Sequence, residues 1–359
     1  MAQLTKLQVT HMQIKRIEKE IRDTPYHKGT ERHIGILRAR LAKLKDTLEQ
    51  TPLRQGSGGG QGYALKKQGD ATVVLVGPPS AGKSTLLNAL TNAESKVAPY
   101  AFTTVSVIPG MMKYNDAYIQ ILDVPGLIEG AEEGKGRGRE VLSVARGADL
   151  LVLISDVKRP EAIARITAAL ERNGIRIDKT PPEVKIEKKL KGGLLIKSNI
   201  KQELDKETVK EVAAEMGVKN AEIQIRQKVS LDELIDVFAK NRVYVPAISV
   251  LNKADTTNFQ FTIFNFQNNT INISAETGRG LSELKKAVWD KLNLVKIYLI
   301  DKPMIVKSGI SLRDVAELIG PDFAQTHDRA KIWGPTAKFE GQEVSLSTKV
   351  AESLKVKFL

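Results

Sequence analysis

The sequence predicts an α/β protein organised around a mostly parallel β-sheet, with further modules attached to it. Three observations support this fold class. Short apolar segments of strand length alternate with helix-like segments along the middle of the chain. A glycine-containing loop joins the first of these strands to the first of these helices. The 359 residues are 42% hydrophobic and 27% charged, which is typical of a globular chain and allows roughly two to four domains.

The parallel sheet is predicted from runs of apolar residues short enough to be buried strands. These runs occupy residues 71–76, 118–122, 150–155, 245–251 and 271–273. Helical segments lie between them at residues 83–91, 160–173 and 280–292. Strands that alternate with helices indicate parallel strands joined by helical crossovers.

Residues 1–54 predict a basic helical hairpin. Apolar residues recur at helical spacing in two segments, separated by a turn at residues 23–29. They are Ile14, Ile17 and Ile21 in the first segment, and Leu37, Leu41, Leu44 and Leu48 in the second. The glycine-rich segment 55–70 then predicts a flexible linker.

The net charge of +13 is concentrated near the N-terminus. Residues 1–67 hold 14 Lys and Arg against 6 Asp and Glu, a local net charge of +8. A concentrated basic region predicts a polyanionic partner, most simply RNA. A solvated helix surface is the alternative interpretation.

Two further modules are predicted from chain length. Between residues 126 and 252 the chain is longer than two strand–helix units require, so an insertion is expected at residues 172–242. The central domain then comprises residues 71–171 and 243–294. The tail, residues 295–359, alternates strand-like segments with one helix at residues 312–319, which predicts a small domain.

Composition excludes several classes of protein. The chain has no cysteine and only four histidines, so thiolate chemistry and histidine-based metal sites are not expected in its main body. No apolar run approaches the roughly 18 residues of a membrane helix. The N-terminus lacks the apolar segment of a signal peptide. We therefore expect a cytoplasmic protein without a membrane partner.

Residues 77–84, with the sequence GPPSAGKS, match a phosphate-binding loop between a strand and a helix. Backbone N–H groups of such a loop donate to phosphate oxygens, and Gly82 permits close approach. Lys83 is expected to reach the β- and γ-phosphates and Ser84 to bind Mg²⁺. The predicted phosphate-binding residues are Gly77, Ser80, Ala81, Gly82, Lys83, Ser84 and Thr85.

Asp123 and Gly126 follow the next strand, in the sequence DVPG. The carboxylate is predicted to hold Mg²⁺ opposite Ser84, and the Gly126 N–H to sense the γ-phosphate; a simple strand-end turn is the alternative. Thr104, with Thr103 in reserve, is predicted to complete the metal shell when a γ-phosphate is present.

Two short motifs at the ends of later strands predict guanine recognition. Asp255, in the sequence NKAD, can accept from N1–H and the 2-amino group of guanine, whereas adenine would leave the carboxylate unpaired. The stem of Lys253 can lie along the base, and the Ala275 N–H can meet guanine O6. The predicted base-binding residues are Asn252, Lys253, Asp255, Ser274, Ala275 and Glu276.

The placement of the attacking water is not evident from the sequence. Leu127 occupies the position where many switch GTPases carry a water-orienting Gln, so slow hydrolysis is expected. Ser80 could offer an oxygen to a monovalent cation, or could be only a small turn residue. Arg137 and Arg139 could contact RNA, a partner or phosphate, or could belong to a solvated loop.

With these motifs, the chain resembles the developmentally regulated GTP-binding protein family of the Obg-related GTPases. The resemblance is carried by DVPGLIEGAEEGKGRGREVLSVAR (123–146), YAFTTVSVIPG (100–110), GIRIDKTPPEV (174–184) and NRVYVPAISVLNKAD (241–255). It implies an insert like domain 2 of ribosomal protein S5 and a C-terminal TGS domain of β-grasp fold. It also implies potassium stimulation, ribosome association and a helper protein. Pro78 departs from the usual bulky apolar residue at that position.

The combined prediction is a monomeric, Mg²⁺-dependent GTPase that binds GTP and GDP, turns over slowly with K⁺ stimulation, and contacts the ribosome or other RNA through its basic hairpin and TGS domain. The predicted catalytic residues are Lys83, Thr104 and Gly126, and the predicted metal ligands are Ser84, Thr104 and Asp123. The alternative is a nucleotide-gated RNA-binding or ribosome-assembly factor in which hydrolysis is incidental.

Overall fold

The computed structural model describes residues 6–50, 68–91, 98–99, 106–124, 137–239, 241–256, 270–300 and 302–359. The chain divides into two compact units. One contains residues 1–62 and 170–244, and the other contains residues 63–169 and 245–359. No helix within the described ranges is long and apolar enough to cross a membrane.

The described helices and strands are numbered in chain order. The helices are α1 (Lys6–Asp23), α2 (Glu31–Gln50), α3 (Lys83–Thr91), α4 (Arg137–Gly147), α5 (Glu161–Arg172), α6 (Lys206–Glu215), α7 (Leu231–Phe238), α8 (Leu281–Leu292), α9 (Leu312–Ile319) and α10 (Pro321–Thr326). The strands are β1 (Ala71–Val76), β2 (Ala98–Pro99), β3 (Ser106–Tyr114), β4 (Ala117–Asp123), β5 (Leu150–Asp156), β6 (Ile175–Ile177), β7 (Val184–Lys188), β8 (Leu194–Ser198), β9 (Ala221–Ile225), β10 (Val243–Val245), β11 (Ala247–Asn252), β12 (Thr270–Asn272), β13 (Leu294–Leu299), β14 (Lys302–Lys307), β15 (Arg329–Trp333), β16 (Gln342–Ser345) and β17 (Lys355–Phe358).

A seven-stranded sheet with the order β12-β11-β5-β1-β4-β3-β2 forms the centre of the second unit. Strands β4, β1, β5, β11 and β12 run parallel to one another. Every residue of β1 and β5 is buried, as expected for parallel strands covered on both faces. The predicted α/β class is therefore confirmed, and the carboxyl ends of β1, β4, β5 and β11 lie at one edge of the sheet.

The sheet also has an antiparallel side that the sequence analysis did not predict. Strand β3 pairs antiparallel with β4, and β2 pairs antiparallel with β3. Strand β3 contains Pro109 and Gly110, which interrupt the apolar pattern that indicates a strand. Gly110 lies where a Cβ would come within 2.6 Å of Thr91 and 2.8 Å of Leu87 on α3. The absence of a side chain at Gly110 therefore allows α3 to pack closely on the sheet.

The C-terminal part of this unit is a second sheet with the order β14-β13-β17-β15-β16. Strand β13 runs parallel to β17 and antiparallel to β14, and β15 runs antiparallel to both β16 and β17. Helix α9 begins with a capping box formed by Ser311 and Asp314. Its buried residues Leu312 and Val315 pack with Ile297, Ile332 and Val356 in one core.

In the first unit, the N-terminal helices pack on the inserted segment. The insert forms the sheet β7-β9-β8, and helices α6 and α7 share its core. Ile34 and Ala42 of α2 belong to the same core as Val212 and Leu234 of the insert. At Gly35, an added Cβ would lie 3.1 Å from Leu231 and 3.3 Å from Val212. The sequence analysis did not predict this contact.

The two ends of the insert meet at a buried group of charges. Strands β6 and β10 pair with each other where the chain enters and leaves the insert. Asp236 of α7 accepts from Arg176 Nη2 at 2.6 Å and from Arg242 Nε at 2.7 Å. The side chains of Asp236, Arg176 and Arg242 are only 4%, 15% and 11% exposed. One carboxylate therefore ties both crossing strands to α7.

Candidate nucleotide-binding site

The loop between β1 and α3 surrounds a buried lysine. Lys83 Nζ donates to the carbonyl oxygens of Gly77 at 3.1 Å and Pro78 at 3.0 Å. Burial lowers the pKa of this ammonium, and the nearby charge of Asp123 acts in the opposite direction. The positive charge of Lys83 is thus held against a backbone loop, where a bound anion would offset the free-energy cost of burying it.

Two glycines of this loop are required by packing. A Cβ on Gly77 would lie 2.3 Å from the carbonyl oxygen of Ile154 on the neighbouring strand β5. Gly82 has φ +86°, and a Cβ there would lie 2.2 Å from Asn252 Nδ2. The sequence analysis attributed Gly82 to close approach of a phosphate; the structure adds a packing requirement against Asn252.

Asp123 and Ser84 form a pair suited to Mg²⁺. Strand β4 lies beside β1, which brings Asp123 Oδ2 to 2.6 Å from Ser84 Oγ. Asp123 is 4% exposed, and its Oδ1 is buried without a hydrogen-bond partner among the described residues. The described residues contain no cluster of three or more acidic or histidine ligands. One carboxylate and one hydroxyl fit Mg²⁺, which takes its remaining ligands from phosphate and water.

Asn252 links three segments of the site. Its Nδ2 donates to Ala81 O at 2.9 Å, and its Oδ1 accepts from Ala275 N at 2.9 Å. Asn252 is 2% exposed, at the end of β11. The phosphate loop and the loop after β12 are therefore held in register by one side-chain amide. The sequence analysis included Asn252 in the base site without this role.

Lys253 and Asp255 follow in a short 3-10 turn region. Lys253 has φ +65°, and its Nζ donates to Ser80 O at 2.7 Å, so its stem crosses from β11 to the phosphate loop. A hydrogen bond from Ser274 lowers the pKa of Asp255, and a backbone N–H reinforces the effect. Asp255 is therefore held as an exposed carboxylate beside Ser274.

The remaining predicted residues are distributed as follows. Ser274 is buried and Glu276 is exposed, both directly after β12. Thr85 is exposed in the first turn of α3. Thr104, Thr103, Gly126 and Leu127 lie outside the described residues, as do the side chains of Arg137 and Arg139.

The sequence analysis missed an ion pair at the same edge of the sheet. Asp156 ends β5, directly opposite Asn252 in the β5–β11 register. Arg159 Nη2 donates to Asp156 Oδ2 at 2.7 Å and to Pro79 O of the phosphate loop at 3.4 Å. Burial favours a raised pKa for Asp156, but hydrogen bonding and charge from Arg159 outweigh it, and the pKa is lowered. An acidic residue ending a strand adjacent to the phosphate loop was the available signal.

Comparisons with known proteins decide the family. The chain is 43% identical over 355 residues to an uncharacterised GTP-binding protein of Methanocaldococcus jannaschii, covering 95% of this chain and 90% of that protein. It is 40% identical to developmentally-regulated GTP-binding protein 1 of Xenopus laevis, covering 93% and 95% of the two chains. The chain belongs to the developmentally regulated GTP-binding protein family. The predicted family resemblance is confirmed.

The match to this family extends over both units. A Saccharomyces cerevisiae relative, ribosome-interacting GTPase 1, is 40% identical over 356 residues, covering 95% of this chain and 96% of that protein. Residues 72–188 match the domain family described as 50S ribosome-binding GTPase, and residues 191–294 match the C-terminal region of that domain. As a member of the developmentally regulated GTP-binding protein family, the chain is a GTPase with a P-loop domain.

Proposed function

We propose that the chain hydrolyses GTP to GDP and phosphate in a Mg²⁺-dependent reaction. The observation that carries the proposal is the buried Oδ1 of Asp123, which has no hydrogen-bond partner in the part of the chain that the structure describes and lies beside Ser84, within the electrostatic reach of Lys83. A divalent ion there would neutralise the charge that develops on the transferred phosphoryl group. Asp123 and Ser84 would hold that ion, and Lys83 would exchange its two loop carbonyls for phosphate oxygens.

Two residues complete the proposed catalytic set. Thr104 would add a hydroxyl to the metal shell when the γ-phosphate is present, and the Gly126 N–H would donate to a γ-phosphate oxygen. The metal ligands of the proposal are therefore Ser84, Thr104 and Asp123. Measuring nucleotide affinity with and without Mg²⁺ tests it, because Ser84→Ala should remove the Mg²⁺ enhancement while far-UV circular dichroism stays unchanged. Equal affinity with and without Mg²⁺ in the parent protein contradicts the proposal.

Guanine specificity is proposed to depend on Asp255. The Ser274 hydrogen bond keeps its carboxylate ionised and oriented, which suits the two N–H donors of guanine. Asp255→Asn should weaken GTP binding and improve binding of xanthosine triphosphate, which has a carbonyl in place of the 2-amino group. An unchanged GTP affinity in a direct titration would remove Asp255 from the base site.

Turnover is proposed to be slow and stimulated by K⁺. Leu127 cannot orient a water by hydrogen bonding, so a cation near the phosphates would have to supply the missing charge. Ser80 is the candidate on the loop, and its φ of +62° gives that segment an unusual backbone. Single-turnover hydrolysis should be faster in KCl than in NaCl at equal ionic strength. Equal rates would shift attention to Arg137 and Arg139.

The cellular role is proposed to be cytoplasmic and ribosome-associated. The yeast relative is a ribosome-interacting GTPase, which supports this role. We propose that residues 1–54 and the TGS-type domain at residues 295–359 contact RNA, assisted by a helper protein, and that the chain is a monomer.

The five-stranded sheet with helix α9 supports a β-grasp fold for the TGS domain. We also propose an S5-domain-2-like fold for residues 172–242 and a GTPase domain at residues 71–171 and 243–294.

A second candidate function is a nucleotide-gated RNA-binding or ribosome-assembly factor in which hydrolysis is incidental. It is favoured by Leu127, which predicts slow turnover. Co-sedimentation with ribosomes under GDP and under a non-hydrolysable GTP analogue measures the gating. Single-turnover hydrolysis with and without ribosomes then separates the two functions, because an enzyme activated by its partner should accelerate on ribosomes.

A further inference from the structure

The cations of the two N-terminal helices have different environments. The arginines of α2 face carboxylates of the insert: Arg32 pairs with Glu211 at 2.6 Å, Arg38 with Asp232 at 2.9 Å, and Arg40 with Glu215 at 3.2 Å. Two lysines act with them, since Lys28 Nζ donates to Glu203 O at 2.5 Å and Lys43 Nζ to Glu215 O at 3.0 Å. These positive charges are already used within the unit.

Helix α1 carries cations that are not used in this way. Lys15, Arg16, Lys19 and Arg22 are exposed, and none forms an ion pair or a hydrogen bond with another described side chain. Lys15, Lys19 and Arg22 are spaced by four and three residues and lie on one face of the helix, opposite the buried Ile17, and Arg16 lies at the edge of this face, three residues before Lys19. We name these four residues the α1 stripe.

The acidic residues of α1 do not neutralise the stripe. Glu18 pairs with Lys45 at 3.0 Å, and Glu20 lies 3.2 Å from a ring nitrogen of His33, so both carboxylates are directed toward α2. Asp23, at the end of the helix, is exposed beside the stripe, and the paired side chains of Glu18 and Glu20 remain 46% and 43% exposed. The folded unit thus separates its charges, with ion pairs along the contacts of α2 and unpaired cations on the outer face of α1.

We infer that the α1 stripe is the surface that contacts the phosphate backbone of RNA, while the arginines of α2 hold the insert. This inference rests on the proposed association with the ribosome and names the surface responsible. At 1.5 Å rise per residue, the stripe spans roughly 10 Å, which is about three nucleotide steps of one strand. Four cations at that spacing suit successive phosphates.

An acidic protein is a poorer match to the same surface. Protein interfaces are anchored by buried aromatic residues, and α1 contains no Phe, Tyr or Trp. Among the side chains of α1 that the structure describes, the large exposed apolar ones are Val9 and Met12, near its N-terminal end. Without aromatic residues there is also no platform for stacked bases. The stripe should therefore bind RNA with little sequence preference and with strong dependence on salt.

The two helices provide a matched pair of variants in the full chain. The test variant Lys15→Gln, Arg16→Gln, Lys19→Gln and the control variant Arg32→Gln, Arg38→Gln, Arg40→Gln each remove three positive charges. Glutamine preserves helix propensity in both. Deleting residues 1–54 would be less informative, because it would also uncover the core that α2 shares with Val212 and Leu234.

Binding is measured to purified ribosomes and to labelled polyuridylate over a series of KCl concentrations, with polyaspartate as an acidic-peptide probe. The test variant should lower the slope of log Kobs against log salt by about 2, from roughly 0.7 per lost phosphate contact. The control variant should keep the parent slope while melting at a lower temperature. GDP affinity and far-UV circular dichroism at low temperature should stay unchanged in both.

Three outcomes overturn the inference. Equal loss of RNA binding in the two variants would mean that net charge alone matters. Polyaspartate binding as tight as polyuridylate binding, and equally sensitive to the test variant, would assign the stripe to an acidic protein. Failure of the parent chain to bind ribosomes or polyuridylate would overturn the proposed ribosome association as well. The first two outcomes would leave that association intact.

Discussion

Asn252 is the residue on which the geometry of the nucleotide site most depends. Its carboxamide satisfies Ala81 O and Ala275 N, both in buried surroundings. Asn252→Ala leaves both groups unpaired, at about 1–3 kcal/mol each in the free energy of unfolding. We expect lower stability in urea and weaker GDP binding. Asn272→Ala, at an exposed site on the adjacent strand β12, is the control and should change stability by less than about 0.5 kcal/mol.

Gly82 tests the same contact from the other side. Gly82 and Gly309 both have positive φ, +86° and +74°, so alanine is strained at either position. Only at Gly82 does the new Cβ collide, 2.2 Å from Asn252 Nδ2, whereas nothing lies within 4 Å of it at Gly309. Gly82→Ala should therefore lower GDP affinity strongly and Gly309→Ala should leave it unchanged. Equal GDP titrations for the two variants would contradict the packing requirement.

At the residue scale, the sequence predicted the members of the site better than their contacts. Lys83 and Ser84 stand in a fixed motif, because a phosphate loop needs those residue types at that spacing. The link from Asn252 to Ala81 and the pair Asp156–Arg159 could not be predicted in this way. Both depend on which strands are neighbours in the sheet, and sheet order is not encoded in local spacing.

At the element scale, two of the acidic residues of α7 should contribute very different amounts to the free energy of unfolding. Asp236 is buried between Arg176 and Arg242, whereas the carboxylate of Asp232 is 63% exposed beside Arg38. Asp236→Ala leaves two guanidinium groups buried without their partner, and should cost about 3–5 kcal/mol of unfolding free energy. Asp232→Ala on the same helix should cost at most about 1 kcal/mol. Urea unfolding followed by far-UV circular dichroism measures both costs. Similar costs for the two variants would argue against a stabilising role for the buried contact of Asp236 with Arg176 and Arg242.

The elements of the insert also show where sequence patterns are insufficient. Strand β7 has an alternating pattern over only five residues, with Lys185 and Glu187 on its outward positions and Val184 and Ile186 facing the core. Helix α2 has apolar positions that suit a hairpin partner equally well. Its packing against the insert joins residues more than 170 positions apart, as in the contact between Arg32 and Glu211. Local periodicity carries no information about such a partner.

At the scale of the whole molecule, the two units can be followed separately. Both tryptophans, Trp289 and Trp333, lie in the unit formed by residues 63–169 and 245–359. Tryptophan fluorescence therefore reports on the nucleotide-binding unit, while far-UV circular dichroism reports on both. A substitution confined to the unit of residues 1–62 and 170–244 should change the far-UV circular dichroism before it changes the tryptophan fluorescence.

Glu222 gives that unit a defined dependence on pH. It accepts from Lys197 and Lys189, which lower its pKa from 4.5 to about 2. Because the folded pKa is lower than the unfolded one, the stabilisation is complete above about pH 4.5 and is lost as the pH falls toward 2. Glu222→Gln should lower the melting temperature seen by circular dichroism at pH 6, and should lower it much less at pH 2. Tryptophan fluorescence of the same variant should show no shift at pH 6. A Glu222→Gln effect that is equal at the two pH values would show that the loss is one of packing, since a charge interaction must weaken as the carboxylate is protonated.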